Sequence, residues 1–160
     1  MTRDVAAYCY CDKGADFFNA LGIKFTIRLT GYTGTNPAYV PFALANVVGP
    51  RSAFGTTDMY VMFYRTSSAE YQLRLIRGIY GDEDYYVMTM NTIYYCTLER
   101  AAGADTVYLK IYSNPERTSL LDTLSVSGFG TTKWRYIYAA NSLDTTASGT
   151  FSGYTENIMV

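Results

Sequence analysis

The sequence predicts an all-β domain, a sandwich or a barrel. Three observations carry this: side chains alternate with period two, turn chemistry recurs about every ten residues, and strand formers are abundant. The alternation is unbroken in Ile23-Lys24-Phe25-Thr26-Ile27-Arg28-Leu29 and in Val107-Tyr108-Leu109-Lys110-Ile111. Each run has one apolar and one polar face, the mark of a half-buried strand. Tyrosine, with 17 copies in 160 residues, is the compositional outlier. Its ring suits a pleated, half-buried surface, and its polar tip suits a contact surface.

Eleven segments read as strands along the chain: 5–11, 23–29, 39–47, 59–65, 71–77, 85–90, 92–100, 107–111, 120–126, 133–139 and 150–160. Turn signals separate them. They include Gly31-Tyr32-Thr33-Gly34, Val48-Gly49-Pro50, Thr66-Ser67-Ser68, Gly81-Asp82-Glu83-Asp84, Ala102-Gly103-Ala104-Asp105, Asn114-Pro115-Glu116 and Gly128-Phe129-Gly130. Glycine there supplies positive φ, and Asp, Asn and Ser bond their own backbone. Residues 16–21 read as a short helical turn or a bulge. Pro41 has no N–H to give a ladder, so its strand begins late, is bulged, or lies at an edge. No linker divides the sequence, whose only biased tract is the mild Ser/Thr/Ala-rich loop at 142–148, so the chain reads as one domain, 1–160.

Composition narrows the function. The net charge is −1 and no basic patch stands out, which argues against nucleic acid as a partner. Histidine is absent, which removes Ser-His-Asp and Cys-His catalysis and every His-ligated metal site. No run approaches ~18 apolar residues, so no membrane span is expected. The start, Met1-Thr2-Arg3-Asp4, lacks the apolar segment of a signal peptide, so synthesis in the cytoplasm is expected. A virion protein released by lysis would look the same. Cys9 and Cys11 stand two apart on one strand face, about 6.5 Å between Cα atoms with parallel Cβ vectors, a poor geometry for a mutual disulfide. Cys96 could pair with either, and buried free thiols are the preferred reading.

The second half of the chain carries a resemblance. Ile93-Tyr94-Tyr95-Cys96-Thr97-Leu98-Glu99-Arg100 is followed by Val107-Tyr108-Leu109-Lys110-Ile111-Tyr112-Ser113 and Leu120-Leu121-Asp122-Thr123-Leu124. Then come Trp134-Arg135-Tyr136-Ile137-Tyr138-Ala139-Ala140-Asn141-Ser142 and the closing Gly149-Thr150-Phe151-Ser152-Gly153-Tyr154-Thr155-Glu156-Asn157-Ile158. This order resembles concanavalin A-like (laminin-G-like) domains of the kind common in phage and metagenomic reading frames. The resemblance covers residues 92–160 well; residues before that match only in strand rhythm. It implies a two-sheet antiparallel β-sandwich, a jelly roll, whose terminal strands lie near each other. It also implies a structural or adhesive module of a virion or other particle surface, associating with its own copies or with other virion proteins.

Four chemistries can be weighed on the residues. Glycoside hydrolysis needs two carboxyl groups flanking one bond, and no Glu-x-Asp-x-Glu strand triplet is present. A non-enzymatic role is therefore expected, and no cofactor beyond a possible calcium ion. Calcium would be held by Asp82, Glu83 and Asp84, helped by Asp58 or Asp144. The competing reading, a solvated acidic turn, is favoured. A glycan would stack on the rings of Tyr108, Tyr112, Trp134, Tyr136 and Tyr138, with Lys110 beside them, if two such strand faces lie side by side. The competing reading, which is favoured, makes Trp134, Tyr136 and Tyr138 core, and Tyr108 and Tyr112 cross-strand pairs. Subunit contact, the fourth, fits outward tyrosines and few charges. Gly128-x-Gly130 is a turn with no helix after it to carry a phosphate.

Overall fold

The computed structural model describes residues 8–34, 38–66, 70–79, 81–142 and 149–160. It is an antiparallel sandwich of a six-stranded and a five-stranded sheet. Its strands are β1 (Tyr8–Asp12), β2 (Leu21–Gly34), β3 (Ala38–Ala45), β4 (Met59–Arg65), β5 (Tyr71–Arg77), β6 (Glu83–Val87), β7 (Ile93–Arg100), β8 (Val107–Tyr112), β9 (Leu120–Val126), β10 (Tyr136–Ser142) and β11 (Gly149–Met159). The orders are β1-β10-β3-β4-β5-β6 and β11-β2-β7-β8-β9. Among the described residues, the only helix is a 3-10 turn at Arg51–Ala53, and no helix is long and apolar enough to cross a membrane.

The core follows from the alternation. Ile23, Phe25, Ile27 and Leu29 of β2 and Val107, Leu109 and Ile111 of β8 are almost wholly buried. They meet Phe42 and Leu44 of β3, Val61 and Phe63 of β4, and Leu73 and Leu75 of β5. Phe25 and Phe42 stack face to face across the two sheets, with centroids 4.8 Å apart. Cys96 lies in this core as a free thiol, and burial pushes its pKa well above the usual thiol range.

Both terminal strands lie at sheet edges, β1 in one sheet and β11 in the other. On the opposite side the sheets are tied together, where the Ser125 amide of β9 donates to Asp84 Oδ2 of β6 at 2.9 Å.

Several expectations need correction. Gly31-Tyr32-Thr33-Gly34 is not a turn but the end of β2, paired with β11. Gly31 is there because a Cβ would come 3.3 Å from the Ser152 Cβ, so it marks close approach rather than reversal. Of the three readings offered for Pro41, the bulge is correct. β3 is an inner strand whose register against β4 shifts between Tyr39 and Phe42. Residues 16–21 are neither a helical turn nor a bulge: a turn at Ala15 and Asp16 leads to an isolated bridge from Phe18 to Trp134, then a bend at Asn19 and Ala20, and β2 begins at Leu21. Cys9 and Cys11 are exposed, not buried, because β1 is an outermost strand. Residues 5–7 of the first expected strand, Ser67, Ser68 and residues 143–148, with Asp144, lie outside the described residues.

Asp12 ends β1 and accepts hydrogen bonds from Arg135 Nε (2.8 Å) and Nη2 (2.6 Å) and from the Gly14 amide (2.8 Å). First the guanidinium, then the amide, hold its carboxyl at about 2, below the ordinary carboxylate range. A depressed carboxyl favours the folded state above its unfolded pKa. The contribution is lost as pH falls from the ordinary carboxylate value towards 2. In a carboxyl-detected NMR titration Asp12 should be among the last side chains to protonate. Arg135→Gln should raise its midpoint towards the ordinary value; an unchanged midpoint would refute the assignment.

Candidate functional site

The two outer faces of the sandwich differ. On the six-stranded sheet, Val40, Ala43, Ala45, Tyr60, Met62, Ile76 and Tyr138 are buried on the side away from the sandwich interior, together with Phe54. The segment between β3 and β4 lies over Tyr138 and Tyr60. Tyr138 Oη donates to the Val47 carbonyl (2.7 Å) and accepts from the Gly49 amide (3.2 Å), and Phe54 packs edge-on against its ring at 5.4 Å. Arg51 hydrogen-bonds to Tyr60 Oη and stacks over the Tyr60 ring. Burial pushes the Tyr138 and Tyr60 hydroxyls up from the ordinary phenol value.

This settles the place of three candidate contact residues. Trp134 does not share a face with Tyr136 and Tyr138. It precedes β10, bridges Phe18, and fills the interior between the sheets at 0% exposure, its indole N–H donating to the Thr57 carbonyl at 2.9 Å. Arg135 breaks the alternation, so Tyr136 and Tyr138 face outward while Ile137 faces in. Tyr138 is covered, and Tyr136 is half-buried against the same cluster. Strands β8 and β10 belong to different sheets, so the condition for a shared aromatic platform, two such faces side by side, is not met.

The outer face of the five-stranded sheet is open. Register across β2, β7, β8 and β9 sets out three rows. They are Gly22–Glu99–Tyr108–Ser125, Lys24–Thr97–Lys110–Thr123 and Thr26–Tyr95–Tyr112. Tyr108, Lys110 and Tyr112 share this face as the alternation predicts, while Val107, Leu109 and Ile111 are buried beneath. Tyr108 is 43% exposed. Lys110 Nζ bonds Glu99 Oε2 at 2.7 Å, and that bond holds the ammonium pKa up.

A shallow depression of about 530 Å³ opens here, with Gly22, Lys24, Thr97, Glu99 and Tyr108 among its lining. Its floor is low because Gly22 has no side chain, and a Cβ added there would meet nothing within 4 Å. Sequence reasoning missed Gly22, Lys24 and Glu99. The expected strand began at Ile23, so Gly22 fell outside it; only with β2 beginning at Leu21 does the glycine stand inside a strand on the same parity as Lys24.

The acidic trio is held by separate partners and does not converge. Asp82 pairs with Arg77 (2.9 Å), Glu83 with Arg74 (2.7 Å), and Asp84 takes the amides of Tyr85 and Ser125. Glu83 and Asp84 belong to β6 rather than a loop, so their side chains diverge. Asp58 is buried elsewhere and accepts the amides of Asn46 (3.0 Å) and Gly55 (2.7 Å). Burial pushes its carboxyl up despite those bonds. Among the described residues no three His, Cys, Asp or Glu side chains are grouped to hold a metal ion.

No protein-family model matches the chain, and no curated protein matches it. Among solved structures it is similar to the enzymatically active domain of tailspike protein 2 from bacteriophage CBA120, with TM-score 0.47 and 10% identity over 98% of this chain and 28% of that one. It is also similar to full-length tailspike protein 2 of an Escherichia coli O157:H7 bacteriophage, with TM-score 0.45 and 8% identity over 87% of this chain and 20% of that one. The chain spans less than a third of the length of either protein, as those shares state.

Proposed function

We propose that the chain is a non-catalytic, adhesive and structural module of a virion surface, a concanavalin A-like sandwich that meets a glycan through the depression beside Tyr108. One observation carries the glycan reading: an exposed ring stands beside a floor left bare by Gly22, with Lys24, Thr97 and Glu99 around it. A sugar ring presents apolar C–H groups that lie on an aromatic face, and hydroxyls that bond to carboxylate, ammonium and hydroxyl groups. A concave site with a few convergent polar groups is the usual form of such contacts. The lining contains one carboxyl group, Glu99, already bonded to Lys110, whereas glycoside hydrolysis uses two. That supports binding without cleavage. The virion context rests on the resemblance of residues 92–160 to domains of phage reading frames.

The test is a glycan-array screen followed by thermal unfolding with any hit. Ligand at ~100 times its dissociation constant stabilises by about 2.7 kcal/mol, or roughly 5–10 °C in a chain of this size. Tyr108→Ala and Gly22→Thr should each abolish the shift, the second by filling the floor, while both variants unfold within a few degrees of the parent. Binding that survives both substitutions, or reducing-sugar release by the parent, would sink this reading.

A further inference from the structure

We propose that β1 is a seam for a second copy of this chain, paired antiparallel about a two-fold axis at Tyr10 and closed by disulfides from Cys9 to Cys11 of the partner subunit. This surface is separate from the Tyr108 face and does not depend on it.

All five residues of β1 are exposed, and the strand ends the six-stranded sheet, with no strand paired to its outer side among the described residues. Edge strands are ordinarily guarded by charge, proline or a bulge. Tyr8, Cys9, Tyr10 and Cys11 carry no formal charge. The first charge, Asp12, is neutralised by Arg135. The register shift near Cys9 and Tyr10 leaves the extra residue, Ala139, on β10, so β1 itself remains regular. The other edges are different. β6 carries Glu83 and Asp84 and is tied to β9 by the Asp84–Ser125 bond. β11 carries Glu156, and its register is broken twice, with Asn157 at φ 54°.

A second copy fits β1 for a chemical reason. Antiparallel pairing centred on Tyr10 sets Cys9 opposite Cys11 of the partner subunit, twice by symmetry, and sets Asp12 opposite Tyr8 of the partner subunit rather than another carboxylate. Directly opposed residues have Cα atoms about 4.5–5.5 Å apart, inside the ~4.4–6.8 Å range of disulfides. Cys9 and Cys11 of one strand are poorly placed for each other, about 6.5 Å apart with parallel Cβ vectors. Cys96 is buried and out of reach. Each bridge forms as two thiols give up two protons and two electrons to oxidised glutathione, which leaves as two molecules of reduced glutathione.

Sedimentation velocity of the full chain under reductant should show a species of twice the 17.9 kDa chain mass at high micromolar concentration. Oxidised glutathione should convert it to a covalent dimer on a non-reducing gel, reversed by dithiothreitol. Cys9→Ser/Cys11→Ser should lose the covalent band and keep the dimer. Cys9→Lys/Cys11→Lys, which guards the edge with charge, should sediment as a monomer with unchanged circular dichroism and glycan response. If the lysine pair does not fold, amide exchange of Tyr8–Asp12 in the parent decides. Protection that rises with protein concentration supports the seam, and constant protection overturns it. A parent that stays monomeric, or a dimer that survives in the folded lysine pair, also overturns it.

Discussion

Replacing Arg100 with methionine is expected to lower the stability of the domain by about 3–5 kcal/mol and its melting temperature by roughly 10 °C. Arg100 ends β7 and is 3% exposed. Its guanidinium donates from Nε to the Ala104 carbonyl (2.7 Å), from Nη1 to Thr132 (2.5 Å) and from Nη2 to Gly130 (2.6 Å). It also lies over the Trp134 ring at 4.8 Å. Beside it, Asp105 accepts the amides of Gly128 and Gly130, and those amides hold its carboxyl below the usual carboxylate range. One cation thus fastens two loops over the end of the core. Methionine keeps much of the stem but removes three hydrogen bonds from a charged donor, a class of bond that contributes about 1.5–3 kcal/mol each. Lysine should recover only part of the loss, because one ammonium cannot reproduce a planar fork. Urea unfolding followed by fluorescence of the single tryptophan reads the effect directly. A shift under ~1 kcal/mol would mean that the surrounding turns hold without the guanidinium.

Trp134→Ala is expected to be as severe, about 3–5 kcal/mol, because it removes the largest fully buried ring and leaves a cavity. The ring meets Phe129 edge-on at 5.5 Å, and its backbone pairs with Phe18 in both directions. Trp134→Phe separates the parts: it keeps an aromatic body and loses the bond to the Thr57 carbonyl, which contributes about 1–2 kcal/mol. Arg100 and Trp134 touch, so the double substitution should cost less than the sum of the singles. Circular dichroism in urea measures all of these without using tryptophan as the probe. If Trp134→Ala unfolds near the parent midpoint, the indole is not the keystone described here.

The strands were legible because burial on one face imposes period two, and Met59–Arg65, Tyr71–Arg77 and Leu120–Val126 appear with the bounds expected from sequence. Tyr108 and Tyr112 outward over Val107, Leu109 and Ile111 follow from the same rule. Trp134 was misplaced because alternation holds only inside a strand. Arg135 separates a bridge residue from β10, and nothing local in Lys133-Trp134-Arg135 announces that break. Tyr138 is buried, as the favoured core reading had it, but its cover comes from the segment around Gly49 and Phe54, distant in sequence. The Gly22 depression needed three strands in register, and pairing across β2, β7 and β8 is a tertiary fact. Arg100 stood in the aromatic strand motif, but its three carbonyl partners lie in two loops no periodicity could bring to it.

The segment across the outer side of β3, β4 and β10 divides the molecule's freedom to change. Ala43 and Ala45, both at 0% exposure beneath it, sit where a longer side chain would have to displace the cover, so mutational drift there is narrow. Thr123 and Ser125 on the opposite sheet project into solvent, and many residues that tolerate extended backbone would serve. A population of descendants would therefore diversify one flank of the domain while the other stayed nearly fixed, and new recognition would arise on the variable flank.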